Sequence, residues 1–144
     1  MKILILGAAG QIGRMLAKDL IEQTENDLVL YARNASNRLK DLASERVSLA
    51  NGDFSDYAHL VDAMKGVDAI YLNDMNDKKG VETIVKAMKA VGVKRIIAAS
   101  MLGIYDEVPG AFGDWNRRMV GDRGIQLHKD TVALVETPEL DYTI

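Results

Sequence analysis

A parallel, doubly wound α/β sheet is the fold class this sequence predicts, on three observations. Short apolar runs alternate with amphipathic helical stretches along the whole chain. The connections between them are short and carry turn residues. The first apolar run, Ile3-Leu4-Ile5-Leu6, breaks at Gly7 and passes directly into a helical pattern. Right-handed crossovers then give the strand order 3-2-1-4-5-6, with ligand expected at the carboxyl ends of the strands near the switch between the first and fourth. No composition shift or low-complexity tract divides the chain, so residues 1–144 are expected to form one domain.

The first helix is expected over Gln11–Gln23, with Ile12, Leu16 and Leu20 inward, Met15 beside them, and Lys18, Asp19 and Glu22 outside. Leu28–Ala32 is a continuous apolar run, as a strand buried on both faces requires. Ser36–Ser44 reads as a short helix with Leu39, Leu42 and Ala43 inward, and Val47–Ala50 as the third strand. Asp56 caps the next helix, which buries Leu60, Val61 and Met64 and ends at Gly66. The fourth strand is Val67–Leu72, broken by Asn73-Asp74-Met75-Asn76-Asp77. Lys78–Val91 forms a helix around Val81, Ile84, Val85 and Met88, stopped by Gly92. Arg95–Ala99 is the fifth strand, followed by a loop from Ser100 to Gly113. Trp115–Val120 and Ile125–Glu136 read as helices, and Leu140–Ile144 begins a sixth strand.

Bulk properties narrow the function classes. A net charge of −3 without a lysine or arginine run argues against nucleic acid as partner. The chain has no cysteine, which excludes a disulfide framework, a thiol nucleophile and a cysteine metal site, and no metal is expected. No apolar run approaches the ~20 residues of a membrane span, and Met1-Lys2 leads into a strand rather than a signal peptide. A cytoplasmic location without membrane attachment is the expectation.

The turn Gly7-Ala8-Ala9-Gly10-Gln11-Ile12-Gly13 carries the first chemical signal. Gly7 lets the chain leave the strand sharply, and Gly10 keeps side chains off the approach path of a pyrophosphate. Gly13 lets the helix pack close, and the helix N-terminus offers free N–H groups and positive dipole to an anion. The spacing is G-x-x-G-x-x-G, and a tight turn without ligand has the same glycines; its position after the first strand favours a dinucleotide. Arg33 is next, at the end of the second strand, where no Asp or Glu stands. A guanidinium there pairs with a 2′-phosphate and favours NADP(H) over NAD(H), with Arg38 assisting; the alternative is a solvated loop arginine. Asn51-Gly52-Asp53-Phe54 ends the third strand, where an adenine would lie. Asp53 either accepts from the exocyclic amine or caps the next helix, and Phe54 supplies an apolar wall.

Gly7-x-x-Gly10-x-x-Gly13, Arg33, Gly52-Asp53, the strand Arg95–Ser100 followed by Gly103 and Tyr105, and the terminal Leu140–Ile144 together resemble the atypical short-chain dehydrogenase/reductase group, a Rossmann-fold group, and within it the NmrA-like and NAD(P)H-binding proteins. The resemblance spans the chain. It implies that Gly7, Ala9, Gly10, Gln11, Ile12 and Gly13 hold the pyrophosphate, Arg33 the 2′-phosphate, and Asp53 and Phe54 the adenine. It places Leu72, Asn73 and Ser100 along the nicotinamide half. Members usually carry small residues after the fourth strand, so Asn73 and Asp74 depart from the pattern.

Catalysis departs further. Active members use Tyr-x-x-x-Lys on the helix before the sixth strand, the lysine lowering the tyrosine's pKa for proton transfer to substrate. Here Lys129 is present, but Ile125 stands four residues before it. Ser100, Tyr105, His128 and Lys129 are the remaining catalytic candidates; His128 on a charged helix is either an acid–base or simply solvated. Members also continue beyond the sixth strand into segments that shape the substrate pocket, so relative to them this sequence is truncated there. The resemblance thus implies an NADP(H)-binding oxidoreductase that passes hydride to a small quinone, flavin or carbonyl acceptor. A non-catalytic NADP(H) sensor that reports to a regulated partner protein is the alternative, and an NAD-dependent epimerase or dehydratase the third. The loop Ser100–Gly113, long enough to line a pocket, speaks for the enzyme; the missing tyrosine speaks for the sensor.

Overall fold

The structure is a computed structural model that describes residues 1–144. Six strands, β1 (Lys2–Leu6), β2 (Asp27–Ala32), β3 (Val47–Asn51), β4 (Ala69–Leu72), β5 (Arg95–Ala98) and β6 (Asp141–Thr143), form one sheet in the order β3-β2-β1-β4-β5-β6. Every pairing is parallel. This is the doubly wound Rossmann order expected from the alternation of runs.

Alternation along β1 divides the core in two. Leu4 and Leu6 point into a cluster of 22 buried residues, and Ile5 into a second cluster of 9 on the opposite face. The larger cluster collects Leu60 and Met64 of α3 (Tyr57–Met64), Val81, Ile84, Val85 and Met88 of α4 (Lys78–Val91), and Val132 of α6 (Asp122–Val132). The smaller one takes Ala17 of α1 (Gln11–Gln23) and Ala35 of α2 (Ala35–Arg38). With apolar neighbours on both faces, β1 buries Leu4, Ile5 and Leu6 completely. The turn that follows β1 is therefore carried on a strand buried on both faces.

Helix α1 starts and stops where expected, yet it packs on a different stripe. Gly13 and Ala17 are buried, while Ile12 and Met15 are exposed. The cause is close approach: a Cβ on Gly13 would lie 2.6 Å from the Gly7 carbonyl oxygen and 3.0 Å from Ala8 Cα. A helix pressed that tightly onto the turn needs its smallest residues at the contact, so Ile12 is turned outward and Leu16 and Leu20 flank the seam.

The helix expected over 36–44 is two pieces, α2 and a single 3-10 turn at Lys40–Leu42. Leu39 between them leaves helical geometry with φ −123° and is fully buried, and Ala43 is exposed rather than inward. Burying Leu39 under the sheet edge breaks the helix. The loop after β5 also ends earlier than expected. Helix α5 runs Gly110–Val120, not 115–120, entered from Pro109 in extended conformation, and α6 runs Asp122–Val132, not 125–136. A proline immediately before a first helical turn is permitted because the helix has no use for its missing N–H. None of α5's residues is buried; Phe112 and Trp115 stack on its outer side at 5.6 Å.

Gly52 shows how closely β2 and β3 meet. A Cβ there would overlap the Tyr31 hydroxyl and come within 2.6 Å of its Cζ. Tyr31 is fully buried and its hydroxyl donates to the Asp53 carbonyl at 2.8 Å; burial pushes its phenol pKa up. Gly52→Ala is therefore expected to cost roughly 1–3 kcal/mol, the usual range for overpacking. Chemical denaturation measures it, and unchanged stability would mean that the tyrosine ring has room to move aside.

Candidate functional site

Gly7 leaves β1 with φ +78°, a conformation glycine adopts without strain, and its N–H and that of Ala8 donate to the Tyr31 carbonyl at 3.0 and 3.1 Å. The turn closes with the Gly10 N–H on the Gly7 carbonyl at 3.0 Å. The first α1 hydrogen bond is Arg14 N–H to the Gly10 carbonyl at 2.9 Å, which leaves the amides of Gln11, Ile12 and Gly13 without backbone partners. No side chain caps this end, whereas Asp56 accepts the His59 N–H of α3 and Asp77 the Gly80 N–H of α4. These unsatisfied donors follow β1 directly, beside the switch between β1 and β4 where the strand order reverses.

A cleft of about 640 Å³ opens there. Its walls include Gly7, Ala9 and Gly10 from the turn, Arg33 and Arg38 beyond β2, Asp53 and Phe54 beyond β3, and Asn73, Asp74, Asn76 and Asp77 beyond β4. Because β2 and β4 flank β1 on opposite sides, the arginines stand at one end of the cleft and the two aspartates after β4 at the other. Phe54 forms the floor between the turn and α4: its ring lies beside Gly7 and its Cβ against Gly80, where an added Cβ would come within 2.7 Å. A side chain at position 80 would meet both Phe54 and the Asp77 carboxylate that caps α4.

The polar groups of the walls are held in fixed places. Asp53 does not cap α3; its Oδ1 accepts the Ser55 N–H at 2.8 Å and the Ser55 hydroxyl at 2.6 Å. Those bonds hold its carboxyl below the usual carboxylate range, with the Arg33 charge contributing least. Asp74 accepts the Asn76 N–H at 2.9 Å, and Asn73 accepts the Tyr71 hydroxyl at 3.1 Å. Met75 between them is buried and pins the segment to the core. Arg33 is exposed, and its guanidinium makes no hydrogen bond or ion pair.

The cleft thus gathers Gly7, Ala9, Gly10, Arg33, Asp53, Phe54 and Asn73 of the expected set. Gln11, Ile12, Gly13, Leu72 and Ser100 are not on its wall. Gln11, Ile12 and Gly13 offer amides rather than side chains. Leu72 is fully buried, and it is Asn73, one residue on, that reaches the cleft. Ser100 follows Ala99, whose N–H donates to the Leu72 carbonyl at 2.8 Å; the Ser100 hydroxyl is buried without a partner.

The catalytic candidates do not converge. Tyr105 donates its hydroxyl to Glu136, and lost solvation together with that carboxylate pushes its pKa up to about 12, the reverse of what an acid–base tyrosine needs. Lys129 lies 3.4 Å from Asp106, which Arg117 also holds at 2.5 Å. His128 is half-buried rather than solvated, its Nε2 3.0 Å from Asn76 Oδ1 and its Nδ1 without a partner. The loop after β5 lines a small pocket of its own of about 90 Å³, with Gly103, Asp106 and Val108 facing Asn116, Arg117 and Ile125, and is not on the wall of the main cleft. Glu107 accepts the N–H groups of Gly103 and Tyr105 at 2.6 and 2.8 Å within the loop, and the Leu102 carbonyl and the Asp106 carboxylate tie it to Asn116 and Arg117 of α5 and Lys129 of α6.

Two features had no sequence signal of their own. Asn76 meets His128 across 52 residues, and Arg14 and Arg38 interlock across 24. Only the fold brings these pairs together.

Comparison with known proteins gives the same picture. Residues 7–144 match the NAD(P)H-binding family profile. Quinone oxidoreductase 2 of Escherichia coli (strain K12) is 28% identical over 131 residues, 85% of this chain and 45% of that protein. Phenylcoumaran benzylic ether reductase PT1 of Pinus taeda is 33% identical over 117 residues, 74% of this chain and 38% of that protein. The chain therefore spans less than half the length of either relative. A wide-type short-chain dehydrogenase/reductase from Veillonella parvula DSM 2008, crystallised with NADP, superposes with a TM-score of 0.91 at 29% identity, over 99% of this chain and 67% of that one. No helix is long and apolar enough to cross a membrane.

Proposed function

Because the chain belongs to the NAD(P)H-binding family, within the atypical short-chain dehydrogenase/reductase group, we propose that its cleft holds NADP(H) and presents it to a small acceptor that takes a hydride. The charge polarity of the cleft carries this reading. A 2′-phosphate set between Arg33 and Arg38 makes charge-assisted hydrogen bonds worth ~1.5–3 kcal/mol each. A dinucleotide in the opposite direction would set that phosphate against Asp74 and Asp77. In this arrangement Gly7, Ala9 and Gly10, with the free amides of Gln11, Ile12 and Gly13, receive the pyrophosphate. Asp53 keeps its Oδ2 for the adenine amine over Phe54. Asn73, with the Leu72 backbone and Ser100 behind it, borders the nicotinamide half. The NADP-bound Veillonella protein supports the same cofactor choice.

NADPH, when bound, supplies the reducing hydride. None of Tyr105, His128 and Lys129 lines the cleft as a proton donor. Tyr105 and Lys129 are engaged elsewhere, by Glu136 and Asp106, and His128 stands behind Asn76 of the cleft wall without lining it. General acid catalysis contributes roughly 10²–10⁴-fold, so carbonyl reduction is poorly served. Quinones and flavins accept hydride first and collect a proton from water afterwards, which makes them the acceptor class that fits; the relation to a quinone oxidoreductase supports it. A cytoplasmic setting, where NADPH is kept reduced, accords with this.

The expected result of an acceptor panel is modest NADPH oxidation with quinones, negligible turnover of aldehydes and ketones, and rates unaffected by Tyr105→Phe or His128→Ala. Rapid ketone reduction lost in either variant would overturn the assignment and identify the acid. Tight NADPH binding with no turnover on any acceptor would support the second reading, a redox sensor acting on a partner protein, which the absence of a tyrosine at Ile125 favours.

A further inference from the structure

Two arginines cross between the glycine turn and the segment that carries Arg33. Arg14, in the first turn of α1, reaches toward that segment: its Nη1 donates to the Arg38 carbonyl at 3.0 Å and its Nη2 to the Asp41 carboxylate. Arg38 reaches back, its Nη2 donating to the Ala9 carbonyl at 3.3 Å and its Nη1 to the Arg33 carbonyl at 3.4 Å. Arg14 thus ends on the segment after β2, and Arg38 ties that segment to the turn before α1. We propose that this cross-brace makes Arg14 a positioning residue for cofactor discrimination, fixing the distance between the phosphate turn and the Arg33–Arg38 segment and so the strength of the 2′-phosphate preference.

The segment has little else on that side to fix it. Between β2 and β3 it contains only the four residues of α2 and one 3-10 turn. Its other side is anchored independently, by Ala35 and Leu39 in the core and by Ser36 paired with Asn51 at 3.0 and 2.7 Å. Folding of the segment therefore does not depend on Arg14. The Arg14–Asp41 pair is also exposed, 31% and 53%, and such pairs add little stability. What Arg14 supplies is a single location for the Arg38 carbonyl, held by a planar fork that grips carbonyl and carboxylate at once. Arg14 itself is not on the cleft wall, so it acts through Arg38.

The inference rests on the cleft being an NADP(H) site, and the experiment separates the two. Affinities for NADP+ and NAD+, and for 2′,5′-ADP and AMP, are measured by calorimetry on wild type, Arg14→Met, Arg14→Lys and Arg33→Asp. Arg14→Met is expected to lower the NADP+/NAD+ affinity ratio about fivefold, on the scale of one charge-assisted hydrogen bond displaced in an exposed site. NAD+ affinity and melting temperature should be unchanged. Arg14→Lys is expected to recover part of the ratio, since one ammonium reaches the carbonyl or the carboxylate but cannot fork across both. The fragment pair should follow the same order. An unchanged ratio in Arg14→Met, while Arg33→Asp collapses it, overturns the inference and leaves the cofactor reading standing. Equal weakening of both cofactors also overturns it, because Arg14 then serves the turn alone. A ratio unaltered even by Arg33→Asp removes the cofactor reading, and this inference with it.

Discussion

Gly10→Val is expected to abolish dinucleotide binding in a protein that still unfolds cooperatively. Gly10 sits at φ −72° and ψ 163°, extended backbone open to any residue, and an added Cβ meets only the Gly7 carbonyl oxygen, at 3.3 Å. The fold therefore accommodates a side chain with a small adjustment. The branched methyls then stand in front of the Gln11–Gly13 amides, where a pyrophosphate would have to approach. Gly13→Ala supplies the contrast, because its Cβ, 2.6 Å from the Gly7 carbonyl oxygen, pushes helix and turn apart. That variant should lose stability, by roughly 1–3 kcal/mol, as well as binding. Calorimetric titration and a thermal melt on both separate the two roles. Wild-type affinity in folded Gly10→Val would leave the glycines a purely conformational role.

Arg33→Asp is the second large effect expected. It replaces a charge-assisted hydrogen bond with a repulsion, so NADP+ affinity should fall by roughly 10- to 150-fold, the equivalent of ~1.5–3 kcal/mol. NAD+, with a hydroxyl in place of the phosphate, should be nearly unaffected or should bind slightly better. Arg38, part of whose guanidinium is held by the Ala9 and Arg33 carbonyls, keeps its own contact to the phosphate, so NADP+ binding should weaken without being lost. Titration with NADP+, NADPH, NAD+ and NADH on wild type and variant measures the switch. Equal losses for all four would remove Arg33 from contact with the 2′-phosphate.

The sheet was legible because its signals are local. Leu28–Ala32 is apolar without interruption since both faces of β2 are covered, and Gly92 takes a left-handed φ of 84° just where the periodicity of α4 ends. Helix α5 was half hidden for the opposite reason. It buries nothing, so no apolar stripe records its register, and Gly110 and Gly113 read as loop. The glycines, Arg33, Asp53 and Phe54 of the cleft follow strand ends and could be found by counting along the chain. His128 beside Asn76 and the crossing of Arg14 with Arg38 depend on where distant segments land, and spacing in one sequence does not encode that.

The position of β1 in the sheet has a consequence for how the protein is made. It precedes the other five strands in sequence and lies inside the finished sheet, between β2 and β4. Its partner β2 arrives almost at once. The contact on its other side, where the Lys2 N–H donates to Asp68 at 2.7 Å, spans 66 residues. Until β4 has been synthesised, the nascent chain carries an open strand edge that is apolar from Ile3 to Leu6, the kind of surface on which chains associate wrongly. Closing that long loop is also the most entropically expensive step of assembly. The strand that supports the phosphate turn in the finished protein is thus the one most in need of protection while the protein is being made.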